Sequence, residues 1–331
     1  MVRVRPLSWL LISAVSLAIA APTSALGAEG DPTPVRFHYD WVPTSGDLPI
    51  LAAEDLGLFD AAGLDVTTTP GGPEINCLQL VAAGQQDICI APTVGVLTAH
   101  PGGVPVVAVG MIQQKSPYGL IVAPDREITA PADLAGHPVG VHPFDPQYAM
   151  WKAFEAANGI GDDDVSEVTV SFGPEPLYEG QVDAIPNFLS LLPALVGDHY
   201  GQEPVTFLFA DHGAWAGGQT IVANRDWAAA NPEAVTAFLG AYRDAMAWGL
   251  ADPEAAIDLV VSRYPDLDRG IVALELPALM GFWESEDTDA NGLLSMSDEV
   301  WQRSYQMLRD YGYLDEDFDP TEVYTNEYLP E

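Results

Sequence analysis

The sequence predicts an α/β protein of two lobes, each built on a mainly parallel sheet flanked by helices. The chain has 331 residues, far more than one small core requires. From Val35 onward, short apolar strands alternate with segments of helical periodicity, a rhythm typical of parallel sheets. The rhythm continues with different residues after about Pro124, which indicates a second lobe.

The first lobe is predicted from residues 29–123 and 212–331. Its predicted strands and helices alternate along the chain: strand 35–39, helix 48–58, strand 64–68, helix 73–83, strand 87–91, helix 93–100 and strand 104–109. Gly84 follows the second helix, where glycine readily adopts the left-handed conformation that ends a helix.

The second lobe is predicted from residues 124–211. Its predicted elements are helix 132–135, strand 139–141, helix 146–158, strand 165–171, helix 177–180, strand 183–186, helix 189–196 and strand 205–209. A strand at 119–123 precedes this lobe, and a strand at 219–223 is expected to return to the first lobe.

The last hundred residues read as helices. Asn231-Pro232-Glu233 and Asp252-Pro253-Glu254 each combine a capping side chain, a proline and an acid, which is a favourable helix start. Two further helices are predicted over about 268–282 and 297–311. The apolar stripes of these helices are assigned to core packing.

Charge excludes several classes of partner. The chain has 12 basic residues against 48 acidic ones, a formal net charge of −36. Nucleic acids and anionic membranes attract basic surfaces, so neither is expected as a partner. The acidity fits either a salty habitat or an ordinary acidic exported protein.

The first 28 residues have the layout of a secretory signal peptide. Arg3 and Arg5 precede an apolar run over 7–20, and small residues follow near the expected cleavage point at 25–28. The apolar run is short for a membrane anchor, and no cysteine is present there to carry a lipid. We therefore expect a periplasmic or otherwise extracytoplasmic protein.

Several motifs together resemble one superfamily. They occur at residues 40–43 (DWVP), 50–59, 63–66 (GLDV), 80–88, 178–185 and 231–239. In this order they resemble the substrate-binding proteins of ABC importers that include the thiamine-precursor pyrimidine binders. The same superfamily contains alkanesulfonate and nitrate binders and the hydroxymethylpyrimidine phosphate synthases.

The resemblance implies a type II periplasmic-binding-protein fold, with a ligand buried between two lobes that close about a hinge. It further implies a monomer that delivers a small molecule to an ABC transporter permease, without catalysis, cofactor or metal. The expected ligand is a small heteroaromatic such as a thiamine-precursor pyrimidine.

Candidate ligand-binding residues lie in loops beyond the carboxyl ends of the predicted strands, where open α/β sheets bind ligands. Aromatic faces with a few hydrogen-bonding groups suit a flat heterocyclic ring. The candidates are Asp40, Trp41, Thr93, Gln113, Tyr118, Phe144, Asp145, Glu175, Asn187 and Trp215.

An anionic ligand fits these loops poorly. Anion sites use free backbone N–H groups and often arginine, whereas Pro92 lacks an N–H and Lys115 is the one basic residue in these loops. A neutral or cationic ring is therefore expected. Same-fold binders of riboflavin, a sulfonate or another small solute remain alternatives.

A synthase-like enzyme of pyrimidine metabolism is the alternative from a different class. The synthases carry a cysteine-rich stretch, whereas this chain has only Cys77 and Cys89. These two form either a disulfide or two separately buried thiols. His142 and His212 lie in predicted cleft loops, but locally hydrogen-bonded histidines are favoured over a metal site.

Overall fold

The computed structural model describes residues 31–42, 44–72 and 75–331. The predicted signal peptide, residues 1–28, lies outside the described residues. Within the described ranges, no helix combines the length and the apolar character needed to cross a bilayer.

Ten strands are present in the described residues, and they form two five-stranded sheets. The strands are β1 (Thr33–His38), β2 (Leu64–Thr69), β3 (Ile88–Pro92), β4 (Val106–Met111), β5 (Tyr118–Val122), β6 (Pro138–Val141), β7 (Ser166–Thr169), β8 (Ala184–Phe188), β9 (Val205–Leu208) and β10 (Gln219–Asn224).

The first sheet has the order β2-β1-β3-β10-β4, and with its helices it forms lobe I. Strand β10 runs antiparallel to both of its neighbours, whereas β1 pairs in parallel with β2 and β3. Every residue of β4 and β10 is buried, and β4 accordingly consists of apolar residues throughout.

The second sheet has the order β7-β6-β8-β5-β9, and with its helices it forms lobe II. Here β5 is the antiparallel strand, paired with β8 and β9. From the sequence, this strand (residues 119–123) is predicted to belong to the first lobe. Its partners are β8 and β9, far away in sequence, and an apolar run does not reveal such pairing. We therefore propose that lobe II starts at Tyr118 and not at Pro124.

The chain crosses between the lobes twice, and the two crossover segments pair as a ribbon. The N–H of Gly218 donates to the carbonyl of Gln113, and the N–H of Gln113 donates to the carbonyl of Gln219. The N–H of Ser116 donates to the carbonyl of Ala216. This crossover ribbon, residues 112–117 with 213–219, forms a hydrogen-bonded connection between the two sheets.

Helices cover both sheets, and the longest belong to the C-terminal part of lobe I. They are α1 (Leu48–Asp55), α2 (Leu58–Ala61), α3 (Cys77–Ala82), α4 (Thr93–Ala99), α5 (Tyr148–Ala157), α6 (Glu175–Tyr178), α7 (Leu192–Tyr200), α8 (Arg225–Ala230), α9 (Pro232–Ala251), α10 (Pro253–Arg263), α11 (Arg269–Met280), α12 (Glu286–Asn291) and α13 (Asp298–Asp310). Pro232 and Pro253 occupy the first helical positions of α9 and α10, as the sequence predicts.

One apolar cluster continues from lobe I into lobe II. It contains Val222 of the first sheet, Leu120 of the second, Phe154 of α5 and Trp301 of α13. Contacts of α13 with α4 and α5 extend this packing across the two lobes. The lobes are therefore joined by apolar packing as well as by the crossover ribbon.

Cys77 and Cys89 form a disulfide, which decides between the two alternatives that the sequence leaves open. Cys77 begins α3 and Cys89 lies in β3, with Cα atoms 6.2 Å apart. Both residues are buried, so the bond joins a helix to the sheet beneath it.

Candidate functional site

A narrow cavity lies between the lobes and is too small to hold a water molecule. Both lobes and the crossover ribbon line it, through Pro92, Val94, Gln113, Ser116, Gln147, Met150, Phe188, Gly217, Gly218 and Gln219. None of these side chains is charged. The cleft is thus closed in this structure, and Gln113 is the predicted site residue that lines it.

An aromatic contact bridges the cleft. Trp41 follows β1 in lobe I and meets Phe172, which follows β7 in lobe II, with ring centres 4.9 Å apart and planes at 63°. His142 follows β6 and stacks on the same Phe172 ring, with centres 3.9 Å apart and planes at 3°. Trp41, Phe172 and His142 are called the aromatic trio below.

Strand pairing explains how lobe II brings two of these rings together. Strands β6 and β7 are parallel neighbours, with Val141 opposite Thr169. The residues that follow them therefore emerge at the same sheet edge, where His142 and Phe172 stack. His142 is buried, its Nε2 has no hydrogen-bond partner, and burial lowers the pKa of its imidazole.

Polar groups adjoin Trp41 on the side of lobe I. The side-chain amide of Gln219 donates to Asp40 Oδ2 at 2.6 Å, and the backbone N–H of Gln219 donates to Gln113 Oε1 at 3.2 Å. Burial raises the pKa of Asp40 to about 6. Gln219 Oε1 is buried without a hydrogen-bond partner. This side of the cleft is therefore rich in acceptors.

Asp145 and Tyr118 lie close enough to interact electrostatically. Asp145 Oδ1 accepts from the N–H of Gln147 at 2.8 Å, and burial raises the pKa of the Asp145 carboxyl. The Tyr118 hydroxyl donates to the Pro186 carbonyl, and burial together with Asp145 raises the pKa of that phenol. Asp145 thus adds an acceptor beside His142, whereas the Tyr118 hydroxyl is engaged by the backbone.

Other predicted site residues have local roles in this structure. Thr93 donates through Oγ1 to the Gly218 carbonyl and so supports the crossover ribbon. Asn187 accepts from the backbone N–H of Phe188. Glu175 is exposed at the start of α6, and Phe144 is 98% exposed.

Trp215 faces a second cavity, which also lies between the lobes, since Leu208 of lobe II and Arg303 of lobe I both line it. The guanidinium of Arg303 lies 3.9 Å from the centre of its ring, as a cation–π contact. With Gln114, Lys115 and Leu208, Trp215 lines a cavity of about 810 Å³. The two cavities share no lining residue.

Phe172 and Gln219 are not among the residues predicted from the sequence, and for His142 the sequence favours a local hydrogen bond over a metal site. Among the described residues, no group of three or more His, Cys, Asp or Glu side chains is arranged to hold a metal ion. A signal for Phe172 was available, because it directly follows the predicted strand 165–171 and lies three residues before the candidate Glu175.

Comparison with known proteins places this geometry in context. The sequence pattern of the family described as NMT1/THI5 like matches residues 46–256. The riboflavin-binding protein RibY of Chloroflexus aurantiacus is 27% identical, over 94% of this chain and 91% of the relative. A 4-amino-5-hydroxymethyl-2-methylpyrimidine phosphate synthase of Legionella pneumophila is 24% identical, over 90% and 92%. The formylaminopyrimidine-binding protein of Halalkalibacterium halodurans is 22% identical, over 93% and 94%.

Solved structures share the fold at lower identity. The alkanesulfonate-binding protein SsuA of Xanthomonas axonopodis pv. citri superposes with a TM-score of 0.69 at 17% identity, covering 89% of this chain and 99% of that one. The desulfurization enzyme DSZB superposes with a TM-score of 0.60 at 20% identity, covering 89% and 97%. The predicted two-lobed periplasmic-binding-protein fold is confirmed.

Proposed function

This chain belongs to the NMT1/THI5-like family, and from that premise we propose that it is an exported binding protein for a small heteroaromatic solute. The observation that carries the proposal is the aromatic trio, which brings rings of both lobes together at the carboxyl ends of their strands. Aromatic rings from two lobes can enclose a flat ring when the lobes close on it.

The polar groups of the cleft favour a ring that donates hydrogen bonds. The carboxyl groups of Asp40 and Asp145 lie beside the aromatic trio, and both can accept hydrogen bonds. The buried Gln219 Oε1 has no hydrogen-bond donor in this structure and can accept one from a ligand. No arginine or lysine lines the narrow cavity beside Gln113 and Gln219, so a sulfonate would meet no positive charge there. A pyrimidine or a flavin offers N–H groups and a planar face.

Two relatives carry names that agree with this ligand class. One is named as a riboflavin-binding protein and another as a formylaminopyrimidine-binding protein. Both ligands contain a nitrogen heterocycle, so riboflavin and an aminopyrimidine are the candidates we propose for this chain.

Binding is proposed in preference to catalysis. The only two cysteines of the chain are joined to each other, so neither supplies a free thiol for synthase-like chemistry. Several relatives are named as synthases, and the binding proposal separates this chain from them. We further propose that the loaded protein is a monomer that passes its ligand to an ABC importer permease.

Calorimetric titration of the purified mature chain tests the proposal. Riboflavin, formylaminopyrimidine and an alkanesulfonate are titrated separately, with mass spectrometry of any ligand carried through native purification. Saturable binding of one heterocycle, without turnover, is the expected result. Binding of the sulfonate alone would contradict the assignment of ligand class, and conversion of a bound pyrimidine precursor would contradict the assignment as a binder.

Asp40 should make the affinity for the ligand depend on pH. Its carboxylate is a stronger acceptor than the acid, and its pKa of about 6 means that acidification removes that charge near pH 6. Affinity for an amino-bearing ring should therefore fall as the pH drops through about 6. Asp40→Asn should bind more weakly at neutral pH and lose this dependence.

A ligand that does not itself titrate in this range is required for the measurement. Asp133→Asn is the control, because Asp133 is exposed and belongs to a separate turn with Thr129 and Ala130. If the affinity of Asp40→Asn depends on pH in the same way as that of wild type, Asp40 does not contact the ligand.

A further inference from the structure

Phe172 has an unusual position for a residue of a binding cleft. It belongs to lobe II, lies parallel to the imidazole of His142, and also reaches Trp41 of lobe I. Its ring thus occupies one face of the His142 imidazole. The side chain is 38% exposed, so solvent already reaches it on one side.

We propose that Phe172 acts as an internal substitute for the ligand ring: it holds the lobes together through Trp41, and it leaves His142 when a heteroaromatic ligand stacks there. This inference rests on the proposed function for the nature of the ligand. It assigns His142 as the residue that stacks in parallel on the ligand ring. Phe172 is then the residue whose displacement from His142 costs part of the free energy of binding.

The chemistry of His142 fits this role. Burial favours its neutral form, and a neutral imidazole stacks on a flat ring without a charge to desolvate. The separation of 3.9 Å with planes at 3° shows that the site accepts a parallel ring. The buried Nε2 has no partner, and a ligand group bound beside the imidazole would supply one.

The loop around Phe172 can release the ring. Gly173 follows it with a φ of +111°, in the region that favours glycine. Phe172 itself lies outside β7, which ends at Thr169, so moving its side chain breaks no sheet hydrogen bond. When Phe172 moves away, its contacts with Trp41 and His142 are replaced by solvent. A bound ligand ring then stacks on His142 in its place.

Competition follows from this arrangement. A state in which Phe172 covers His142 cannot bind the ligand, so the apparent affinity is reduced by the fraction of molecules that are open. Removing the ring should therefore raise the affinity and loosen the ligand-free cleft. From the usual strength of one aromatic pair, the gain in affinity is about 2- to 10-fold.

Phe172→Ala tests the proposal, with riboflavin and formylaminopyrimidine as the titrated probes. Calorimetry measures affinity, and small-angle scattering of the ligand-free protein measures the radius of gyration. We expect tighter binding of the probe that wild type binds, and a larger ligand-free radius that ligand returns to the wild-type value. Phe172→Leu, which keeps apolar bulk without an aromatic face, replaces the alanine variant if circular dichroism shows that the latter is unfolded.

Phe318→Ala is the matched control. Phe318 also packs against a histidine, His100, with ring centres 4.4 Å apart, and its other aromatic neighbour is Tyr305. It lies in the C-terminal segment and contacts no member of the aromatic trio, so its removal should leave both measurements unchanged.

His142→Ala should weaken binding, and His142→Phe should restore most of the affinity because it keeps a stacking face.

The outcomes separate the inference from the function on which it rests. Weaker binding in Phe172→Ala would show that Phe172 holds the ligand directly, and an unchanged radius would show that it does not hold the lobes; either result overturns the proposal. If wild type binds none of the probes, the proposed function fails. The scattering measurement on the ligand-free variant then still decides whether Phe172 joins the lobes.

Discussion

Asp47 is buried in lobe I against other ionisable groups. Its Oδ2 accepts from the N–H of Thr44 and from the hydroxyl of Tyr264. Burial is the main cause that raises its pKa to about 7, and the nearby charges of Asp40 and Glu275 add to it. The folded protein therefore keeps a proton on Asp47 that the unfolded chain releases at lower pH.

Stability should consequently fall as the pH rises from about 4 toward 7, because the unfolded state binds fewer protons over this range. Asn resembles the protonated acid, so Asp47→Asn should match wild type at low pH and exceed it by a few kcal/mol above about pH 7. Urea denaturation at a series of pH values measures the difference between the two proteins.

Asp133 provides a control of opposite sign. Backbone N–H groups of Thr129 and Ala130 lower its pKa, so its contribution is present at neutral pH and is lost as the pH falls. Asp133→Asn should therefore lower the stability at neutral pH and flatten the acid side of the profile, without changing the slope on the neutral side. If the difference in stability between Asp47→Asn and wild type stays constant from about pH 4 to pH 7, Asp47 is ionised in the folded state.

At the scale of elements, the disulfide fixes α3 to β3. It closes a segment with a sequence separation of 12 between Cys77 and Cys89. A loop of this length restricts the unfolded chain enough to stabilise the folded one by about 3 kcal/mol. Reduction should lower the melting temperature of wild type by a corresponding amount.

The variant Cys77→Ser/Cys89→Ser is the control for this measurement. It should melt near the temperature of reduced wild type, and a reducing agent should not change it further. Mass spectrometry of the non-reduced protein reports whether the bond is present. Equal melting of oxidised and reduced wild type would mean that the bond adds nothing to the native packing.

At the scale of the whole molecule, the large negative net charge should govern how stability depends on salt. A formal charge of −36 on 331 residues makes the compact state repel itself. Salt screens this repulsion, because the Debye length falls from roughly 10 Å at 0.1 M to about 3 Å at 1 M ionic strength. Melting temperatures should therefore rise with sodium chloride, most steeply at low concentration.

Two controls separate screening from salt exclusion. Potassium chloride should act like sodium chloride, whereas a neutral osmolyte at matched water activity should raise the melting temperature less. A flat or falling series would rule out the link between acidity and a salty habitat. The family assignment does not depend on this result.

The elements of the fold were largely predictable because they depend on local pattern. The helices that begin at Pro232 and Pro253 follow from a cap, a proline and an acid in sequence, and the structure confirms both. The strand β5 shows where such reasoning ends. Its apolar run is visible in the sequence, but its pairing with β8 and β9 is not, because that pairing is set by contacts between distant segments.

The candidate site was predictable only in part. Position after a strand selected Asp40, Trp41 and Asp145, and the structure places these near the aromatic trio or the polar groups beside it. The same rule selected Phe144, which is 98% exposed. Loop position alone therefore does not indicate where a side chain points.

By itself, the sequence determined the α/β class, the helix starts and the acidic surface, because composition and periodicity are properties of neighbouring residues. It also carried the motifs that resemble the family. Only the tertiary structure decided that Cys77 and Cys89 are bonded and that Phe172 stacks on His142. Those contacts join segments that are separate in the chain, and their geometry exists only once two strands or two layers have packed together.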